Sequence, residues 1–316
     1  MAVGRAELER SLVQLAAECE DPRAGLFGPA SLAWEIGREA MLFLGGGRAA
    51  LLQLAHPWVA QAVADHSVTL ADARGRFVRT FENVFAMVFG DLEAALAAAR
   101  RVHAIHERVR GRLDERAGPF AAGSPYLAND EQALYWVQAT LDDTSIQVFE
   151  LLVRPLSRAE KEEYLAETRR FARLFGIPDA VIPSDWEAFC AYNRRMWNSE
   201  LLQVGTPARR IAEQLLQLGH PLVRPLMGWY RIMTAGLLPE RLRAAYGLAF
   251  GPAERAVFAA SVRLLRAGLR RLPGRLRYLP AYFEALARLR GSSRAGALDR
   301  AVRGALERAG RWVLAG

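Results

Sequence analysis

Apolar side chains recur along most of the chain at intervals of three and four residues, the spacing of an α-helix with one buried face. The clearest case is the stretch 76–111, which predicts two helices that meet near Phe89, Gly90 and Asp91, with Asp91 as the N-cap of the second. Residues 68–75 before it are predicted to be a loop, and residues 112–125 a Gly/Pro-rich linker. Because no convincing series of alternating strands accompanies these helices, the pattern predicts an all-α protein.

Helix start signals divide the rest of the chain. Two capping boxes, Ser157 with Glu160 and Ser184 with Glu187, each predict the beginning of a helix. The helices predicted outside 76–111 cover 34–44, 48–55, 58–65, a segment after Asn129 or Asp130, 159–175, 185–197, a segment from Thr206, 222–236, 239–245, 252–271, 280–290 and 294–314.

Two local features interrupt the first helices. The run Gly45-Gly46-Gly47 has no strand before it and no Lys-Ser/Thr after it, so a phosphate-binding P-loop is disfavoured. Glycines in a helical segment instead indicate the close approach of another helix or of a flat ligand. The His56-Pro57 pair predicts a kink or break, because proline lacks an N–H and disfavours α geometry at the preceding residue.

Composition agrees with a globular helical protein. The 316 residues are 52% hydrophobic and 24% charged, enough for a sizeable core, and the mean hydropathy is +0.01. Two distant cysteines, Cys19 and Cys190, do not form a disulfide framework, and no signal peptide or run of 18 apolar residues is present, which predicts a cytoplasmic protein. The predicted organisation is an N-terminal helix and loop (1–30), one helical domain (31–290) and a C-terminal helix that packs on it (291–316).

The charge is strongly positive but dispersed. The net charge is +8 and the pI is about 10.0, and arginine accounts for almost all of the basic residues, with Lys161 as the only lysine. Arginines and acids are interspersed and no zinc-finger or RNA-binding signature accompanies them, so we expect solvated surfaces and no nucleic-acid partner. The arginine-rich amphipathic stretch from Arg263 to Arg277 leaves peripheral membrane contact open.

The candidate chemistry lies in 76–111. Arg76, Arg79 and Thr80 share one face of the first helix, and His103 and His106 share one face of the second. Between them the sequence is rich in phenylalanine, so the two faces could enclose an apolar pocket for a flat cofactor. A single histidine suffices as the axial ligand of a porphyrin. The alternative that these histidines are ordinary core or surface residues stays open. No GxSxG or HExxH motif supports hydrolase or zinc-protease chemistry.

Several spaced sequence blocks then resemble a known family, which contains the MpaB-type oxygenases and the latex-clearing rubber oxygenases. The blocks are Trp34-x2-Gly37, 45–67, Arg76-x3-Thr80, Val88-Phe89-Gly90, His106-x2-Val109-x-Gly111, 126–144, Tyr164-x2-Glu167, Trp186 with Tyr192, the YGLAF segment and 272–282. The resemblance implies a globin-like helical core that holds haem b through one histidine and performs oxidative chemistry with dioxygen.

The family pattern also implies roles for individual residues. Arg76 and Thr80 match an arginine and a threonine on the distal side of the haem, and His106 matches the iron ligand because it begins the HxxVxG block. Arg79 stands where the rubber oxygenases have a lysine. Apart from the family pattern, Arg48, Arg79 or Arg110 could pair with the haem propionates, because arginine forms paired hydrogen bonds with carboxylates.

The sequence thus predicts a haem-dependent oxygenase that acts with dioxygen on an apolar isoprenoid or lipid-like substrate. Two alternatives remain: a non-catalytic helical binding protein for an apolar ligand, and a haem carrier or sensor. His103 and His56 are the alternative iron ligands.

Overall fold

The computed structural model describes residues 1–66, 70–217 and 224–291, and within these ranges all side chains except those of 70–79. This part of the chain is predominantly helical, which confirms the predicted all-α class. Its helices are α1 (Arg5–Ala17), α2 (Leu32–Gly37), α3 (Gly46–Leu54), α4 (Pro57–His66), α5 (Leu70–Phe89), α6 (Leu92–His106), α7 (Glu131–Leu152), α8 (Arg158–Arg173), α9 (Trp186–Asn198), α10 (Thr206–Gln217), α11 (Arg224–Leu237), α12 (Glu240–Ala245), α13 (Pro252–Leu269), α14 (Gly274–Arg277) and α15 (Pro280–Leu289).

Short elements connect these helices. Two 3-10 helices (Ala40–Gly45 and Asp179–Val181) and two antiparallel strands, β1 (Arg110–Arg112) and β2 (Pro125–Leu127), complete the described elements. The predicted last helix, 294–314, lies outside the described residues. None of the helices in the described ranges is both long and apolar enough to cross a bilayer.

Several predicted helix starts are confirmed by their hydrogen bonds. Asp91 accepts a hydrogen bond from the backbone N–H of Ala94 at 2.8 Å, and Asp130, rather than Asn129, caps α7. In the capping box of α8, the N–H of Ser157 donates to Glu160 at 2.7 Å and the N–H of Glu160 donates to the Ser157 hydroxyl at 3.2 Å. These caps satisfy amide groups that have no partner within the first turn of a helix.

The boundaries of the helix pair differ from the prediction. The predicted loop 68–75 is wrong over residues 70–75, which are the first turns of α5. The second helix ends at His106 instead of Gly111, because the chain beyond it pairs with a strand fifteen residues further on, with Gly111 opposite Tyr126. The predicted linker 112–125 is therefore largely the connection of a β-hairpin.

Two other boundaries were also wrong. The predicted helix 34–44 breaks at Glu39, whose extended backbone forms a bridge with Tyr278 while the N–H of Leu279 donates to the Arg38 carbonyl at 2.8 Å. The segment at Tyr278 and Leu279 thus forms hydrogen bonds with backbone groups that would otherwise have continued the helix. Asp185, and not Ser184, caps α9, because its carboxylate accepts the N–H of Ala188 at 2.9 Å.

Helix α7 lies at the centre of the packing. It packs against α3, α8, α13 and the 3-10 helix Ala40–Gly45, and much of its length is buried. A Cβ atom on Gly45 would overlap Thr144 of α7, and one on Gly47 would overlap Thr234 of α11. The glycine run therefore permits the close approach of two helices, one of the two interpretations that the sequence favours.

Helix α1 also packs against this helical core. Leu8, Leu12 and Leu15 are almost fully buried and pack against α6 and α8, in a cluster that includes Met87 and Leu174. The N-terminal helix thus covers the outer side of α6, the helix that ends at His106.

Candidate functional site

Helices α5 and α6 form an antiparallel hairpin whose turn is Gly90 and Asp91. Arg101 on α6 donates to Asn83 on α5 (Nη2···Oδ1 3.2 Å), which aligns the two helices. Since both helices rise by about 1.5 Å per residue, the backbone of Arg76 and of Thr80 lies within about one turn of the level of His106. The structure therefore brings together the two segments that the sequence singles out.

The turn end of this hairpin is held firmly. The indole N–H of Trp34 donates to the Val88 carbonyl at 2.7 Å, and the Arg288 guanidinium donates to the Phe89 carbonyl at 2.7 Å. These bonds satisfy carbonyl groups in the last turn of α5 that have no partner within the helix. The fixed end lies at the other end of the hairpin from the candidate chemistry, which is in the middle of α5 and at the end of α6.

On α5, the residues near the candidate site are partly open. Thr80 is exposed, whereas the side chains of Arg76 and Arg79 lie outside the described ones. The ring of Phe81 lies 4.8 Å from that of Phe43 and 5.8 Å from that of Phe85, centroid to centroid. Phe81 and Phe85 of α5 and Phe43 of the 3-10 helix therefore form an aromatic row beside the exposed Thr80.

The two histidines of α6 differ in burial. His103 is only 5% exposed, its Nε2 lies 3.5 Å from a carboxylate oxygen of Glu107, and its carbonyl accepts a bond from Asn129 at 3.5 Å. His106, the last residue of the helix, is half-buried. A ligand that approaches from outside the helix pair therefore meets His106 more readily than His103.

A hydrogen-bonded network supports the chain that follows His106. The hydroxyl of Tyr126 donates to Asp65 at 2.5 Å, and the Gln61 amide donates to both Asp65 and Asp114 at 2.8 Å. Burial and the Asp65 carboxylate raise the pKa of Tyr126 far above its usual value. A Cβ atom on Gly111 would lie 2.6 Å from the Tyr126 hydroxyl, so only glycine fits there without displacement.

This network was missed by sequence reasoning. Gly111 and Tyr126 belong to blocks that match the family pattern, but nothing local indicates that they meet Gln61, Asp65 and Asp114. Because the network joins α4 to the β-hairpin, it fixes the chain that continues from the end of α6. It therefore contributes to the position of His106.

His56 lies at the break between α3 and α4, in a separate environment. It is 3% exposed, and its ring is 5.9 Å from that of Trp58 and 6.2 Å from that of Phe120. Burial lowers its pKa to about 4, so the imidazole is neutral at pH 7, and its Nδ1 has no hydrogen-bond partner among the described residues. Of the other histidines, His66 is exposed and His220 lies outside the described residues.

Arg48 of α3 is buried, with 1% of its surface exposed. It donates to the Leu237 carbonyl at 2.8 Å, to the Thr144 hydroxyl at 2.5 Å and to the Asp143 carboxylate at 2.5 Å. Arg48 thus links α3 to α7 and α11 through protein groups. Its predicted contact with a cofactor carboxylate stays a prediction, as do the roles of Arg79 and Arg76.

Asp142 is a buried carboxyl group of α7 on the side that faces α8. It accepts a hydrogen bond from Gln138 at 3.3 Å and borders a small cavity lined in part by Tyr135, Thr168 and Arg169. Burial, with the neighbouring Asp143 charge, raises its pKa to about 7. The folded protein therefore keeps a proton on Asp142 that the unfolded chain releases near pH 4.

We expect this proton to make stability depend on pH. Because the pKa is raised on folding, the contribution is fully present below about pH 4 and is lost by about pH 7, amounting to a few kcal/mol. Urea unfolding between pH 4.5 and 8 should show wild type losing more stability than Asp142→Asn. Asp179→Asn, at an exposed position, is the matched control and should follow wild type. If the free energy of unfolding changes with pH equally in wild type and in Asp142→Asn, the raised pKa of Asp142 is wrong.

Among the described residues, no three histidine, cysteine or carboxylate side chains converge as a metal-binding cluster. No curated protein and no solved structure matches the chain significantly. A family model does match, over residues 33–267, about three-quarters of the chain, which include the α5–α6 hairpin and its supporting network. That family is described as "ER-bound oxygenase mpaB/B'/Rubber oxygenase, catalytic domain", and the chain belongs to it.

Proposed function

We propose that the protein is a haem b-dependent oxygenase that uses dioxygen to oxidise an apolar, isoprenoid or lipid-like small molecule, with His106 as the iron ligand. The observation that carries the proposal is the α5–α6 hairpin, which brings the backbone of Arg76 and of Thr80 within about one turn of the level of His106 in a chain of an oxygenase family.

The residues at this hairpin fit a haem group. Haem iron needs only one protein ligand, and the half-buried imidazole of His106 is more accessible than the enclosed ring of His103. The aromatic row of Phe43, Phe81 and Phe85 offers an apolar surface of the kind that a porphyrin requires. Arg79 is the proposed partner of the propionates, because guanidinium and carboxylate groups form paired hydrogen bonds. Arg48, the other candidate, would join it only by giving up bonds to Asp143, Thr144 or the Leu237 carbonyl.

Bound haem supplies the redox-active iron that dioxygen chemistry requires. The chain's own contribution is to position the reactants and to stabilise charge. Arg76 cannot lose its proton, and Thr80 has a hydroxyl donor, so both can donate hydrogen bonds to oxygen as negative charge develops on it. Thr80 is exposed in this structure, so bound haem and substrate would have to exclude water from it; one such donor would then be worth about 3 kcal/mol of activation free energy. Phe81 and Phe85 would hold the apolar substrate and keep water away.

Haem titration of the full chain tests the proposal. We expect wild type to bind haem with a sharp Soret band, and His106→Gly to lose axial ligation, so that the band shifts and the affinity for haem falls. Free imidazole should restore the wild-type spectrum of this variant, because it can occupy the space of the missing side chain. His103→Gly, one turn earlier on the same helix, is the matched control and should keep the wild-type spectrum.

Two results would contradict the proposal in different ways. If His106→Gly keeps the wild-type spectrum while the His103 or His56 variant loses it, the ligand assignment is wrong. If the folded wild-type chain binds no haem at all, the haem dependence is wrong, and a colourless protein whose melting temperature rises with isoprenoids would be a binding protein instead.

A further inference from the structure

Helix α13 is apolar on two sides. Its inward side chains, Phe258, Val262, Leu265 and Leu269, belong to a cluster with α7 and α11. On the outward side, Val257 is 40% exposed and Leu264 is 74% exposed, and the two share a face because they are seven residues apart. Leu272 (43% exposed) and Leu276 (63% exposed) follow in the next turn and in α14. We call these four residues, with the arginines around them, the α13–α14 surface.

The charge of this surface is entirely of one sign. Residues 255–283 include no aspartate or glutamate and seven arginines, at positions 255, 263, 266, 270, 271, 275 and 277. Of these, Arg277 pairs with Glu39 at 2.7 Å, and the others form no ion pair with a described carboxylate. Elsewhere exposed arginines do pair, as Arg100 does with Glu9. In the part of the chain that the structure describes, no carboxylate therefore compensates the positive charge of these other arginines around the exposed leucines.

We propose that the α13–α14 surface docks on the face of an anionic phospholipid bilayer. Exposed leucines on a basic amphipathic helix bury themselves at the boundary between headgroups and acyl chains, while the arginines remain at the level of the lipid phosphates. Arg263, Arg270, Arg271 and Arg275 are all exposed and lie next to the leucines along the chain. The proposal does not depend on haem or on the oxygenase proposal.

Charge and exposure argue against three other partners for this surface: residues 292–316 of the chain, a second copy of the protein and a nucleic acid. Residues 292–316 of this chain include five arginines and only two carboxylate side chains, so their charge has the same sign as the surface. A symmetric contact with a second copy would set arginines against arginines. A nucleic acid would satisfy the guanidinium groups but would leave Leu264 and Leu276 without an apolar partner.

Vesicle co-sedimentation of the full chain tests this proposal. We expect binding to vesicles of phosphatidylcholine that contain phosphatidylglycerol, no binding to phosphatidylcholine alone, and weaker binding as ionic strength rises. Replacing Arg270 and Arg271 together by glutamine should weaken binding by about fivefold for each arginine. The double variant Leu264→Ser with Leu276→Ser should weaken it about tenfold or more, since each leucine buries apolar area in the bilayer.

Matched controls separate docking from stability. Val13→Ser removes an equally exposed apolar side chain from α1, and Arg158→Gln removes an exposed arginine from α8. Both should bind vesicles like wild type. Because the replaced leucines are exposed, the thermal unfolding of the leucine variant should match that of wild type.

Three results would overturn the proposal. The first is that the full chain fails to bind anionic vesicles. The second is that the leucine variant binds them as well as wild type, with duplex DNA as an effective competitor, which would assign the surface to nucleic acid. The third is that the leucine variant changes the sedimentation coefficient of the protein without vesicles, which would assign the surface to a contact between copies.

Discussion

Replacing Arg48 by methionine will destabilise the folded protein by about 3–5 kcal/mol, because it leaves a buried ionic partner uncompensated. Asp143 keeps only 18% of its side-chain surface exposed, and its carboxylate would lose the guanidinium that lies 2.5 Å away. The Leu237 carbonyl and the Thr144 hydroxyl would lose a donor as well. For a domain whose total stability is about 5–15 kcal/mol, this loss is a large fraction. Urea unfolding followed by circular dichroism measures it.

Two further variants show whether the cause is the unpaired charge. Arg158→Met removes an arginine that is 61% exposed and pairs with Glu162, and it should cost less than about 1 kcal/mol. Replacing Arg48 by methionine and Asp143 by leucine together should recover part of the loss, because an apolar pair can substitute for a buried ion pair. An Arg48→Met protein as stable as wild type would show that the buried ion pair contributes little. If it also bound haem normally, Arg48 would have no role with the propionates.

The second large effect is expected from the glycine run. Gly45→Ala and Gly47→Ala should each cost about 1–3 kcal/mol, because the added methyl group overlaps Thr144 in the first case and Thr234 in the second. The backbone at Gly45 has φ −81° and ψ −7°, which alanine adopts without strain. The penalty therefore comes from helix packing and not from the backbone, and thermal unfolding of the purified variants measures it.

Gly46→Ala is the matched control within the same run. A Cβ atom there would lie 3.3 Å from the Tyr230 hydroxyl, a tight contact that the side chain can relieve by a small shift. Alanine is also favoured over glycine in a helix by about 1 kcal/mol, which offsets the free-energy cost of that shift. Equal melting temperatures for the three variants would show that α3 does not need its close approach to α7 and α11.

These two effects concern the same part of the molecule. The close approach of α3 to α7 and α11, which the glycines permit, also allows Arg48 to reach Asp143 and the Leu237 carbonyl. This packing lies beside the 3-10 helix that contains Phe43, which contacts Phe81 of the candidate site. Because the side chains nearest to the added methyl groups all belong to α7 and α11, we expect the glycine variants to reduce haem affinity only as far as they reduce stability.

The sequence by itself determined the helical class, most helix starts and the pairing of the two helices around Gly90. Those features depend on signals between residues close in the chain: the three- and four-residue periodicity, the caps at Asp91, Asp130 and Ser157, and a turn too short to allow anything but an antiparallel hairpin. The interpretation of the glycine run as a close helix contact also came from local pattern, although its partners did not.

Only the tertiary structure decided where α6 ends, which groups Arg48 pairs with, and how His103 differs from His106. Each of these depends on residues far away in the chain: the strand at Pro125–Leu127, the carboxylate of Asp143, and the packing around α6. Burial also set the pKa values of His56 and Asp142, which no spacing of residue types encodes. The physical reason is that desolvation and ion pairing are determined by neighbours in space, whereas periodicity and capping are determined by neighbours in sequence.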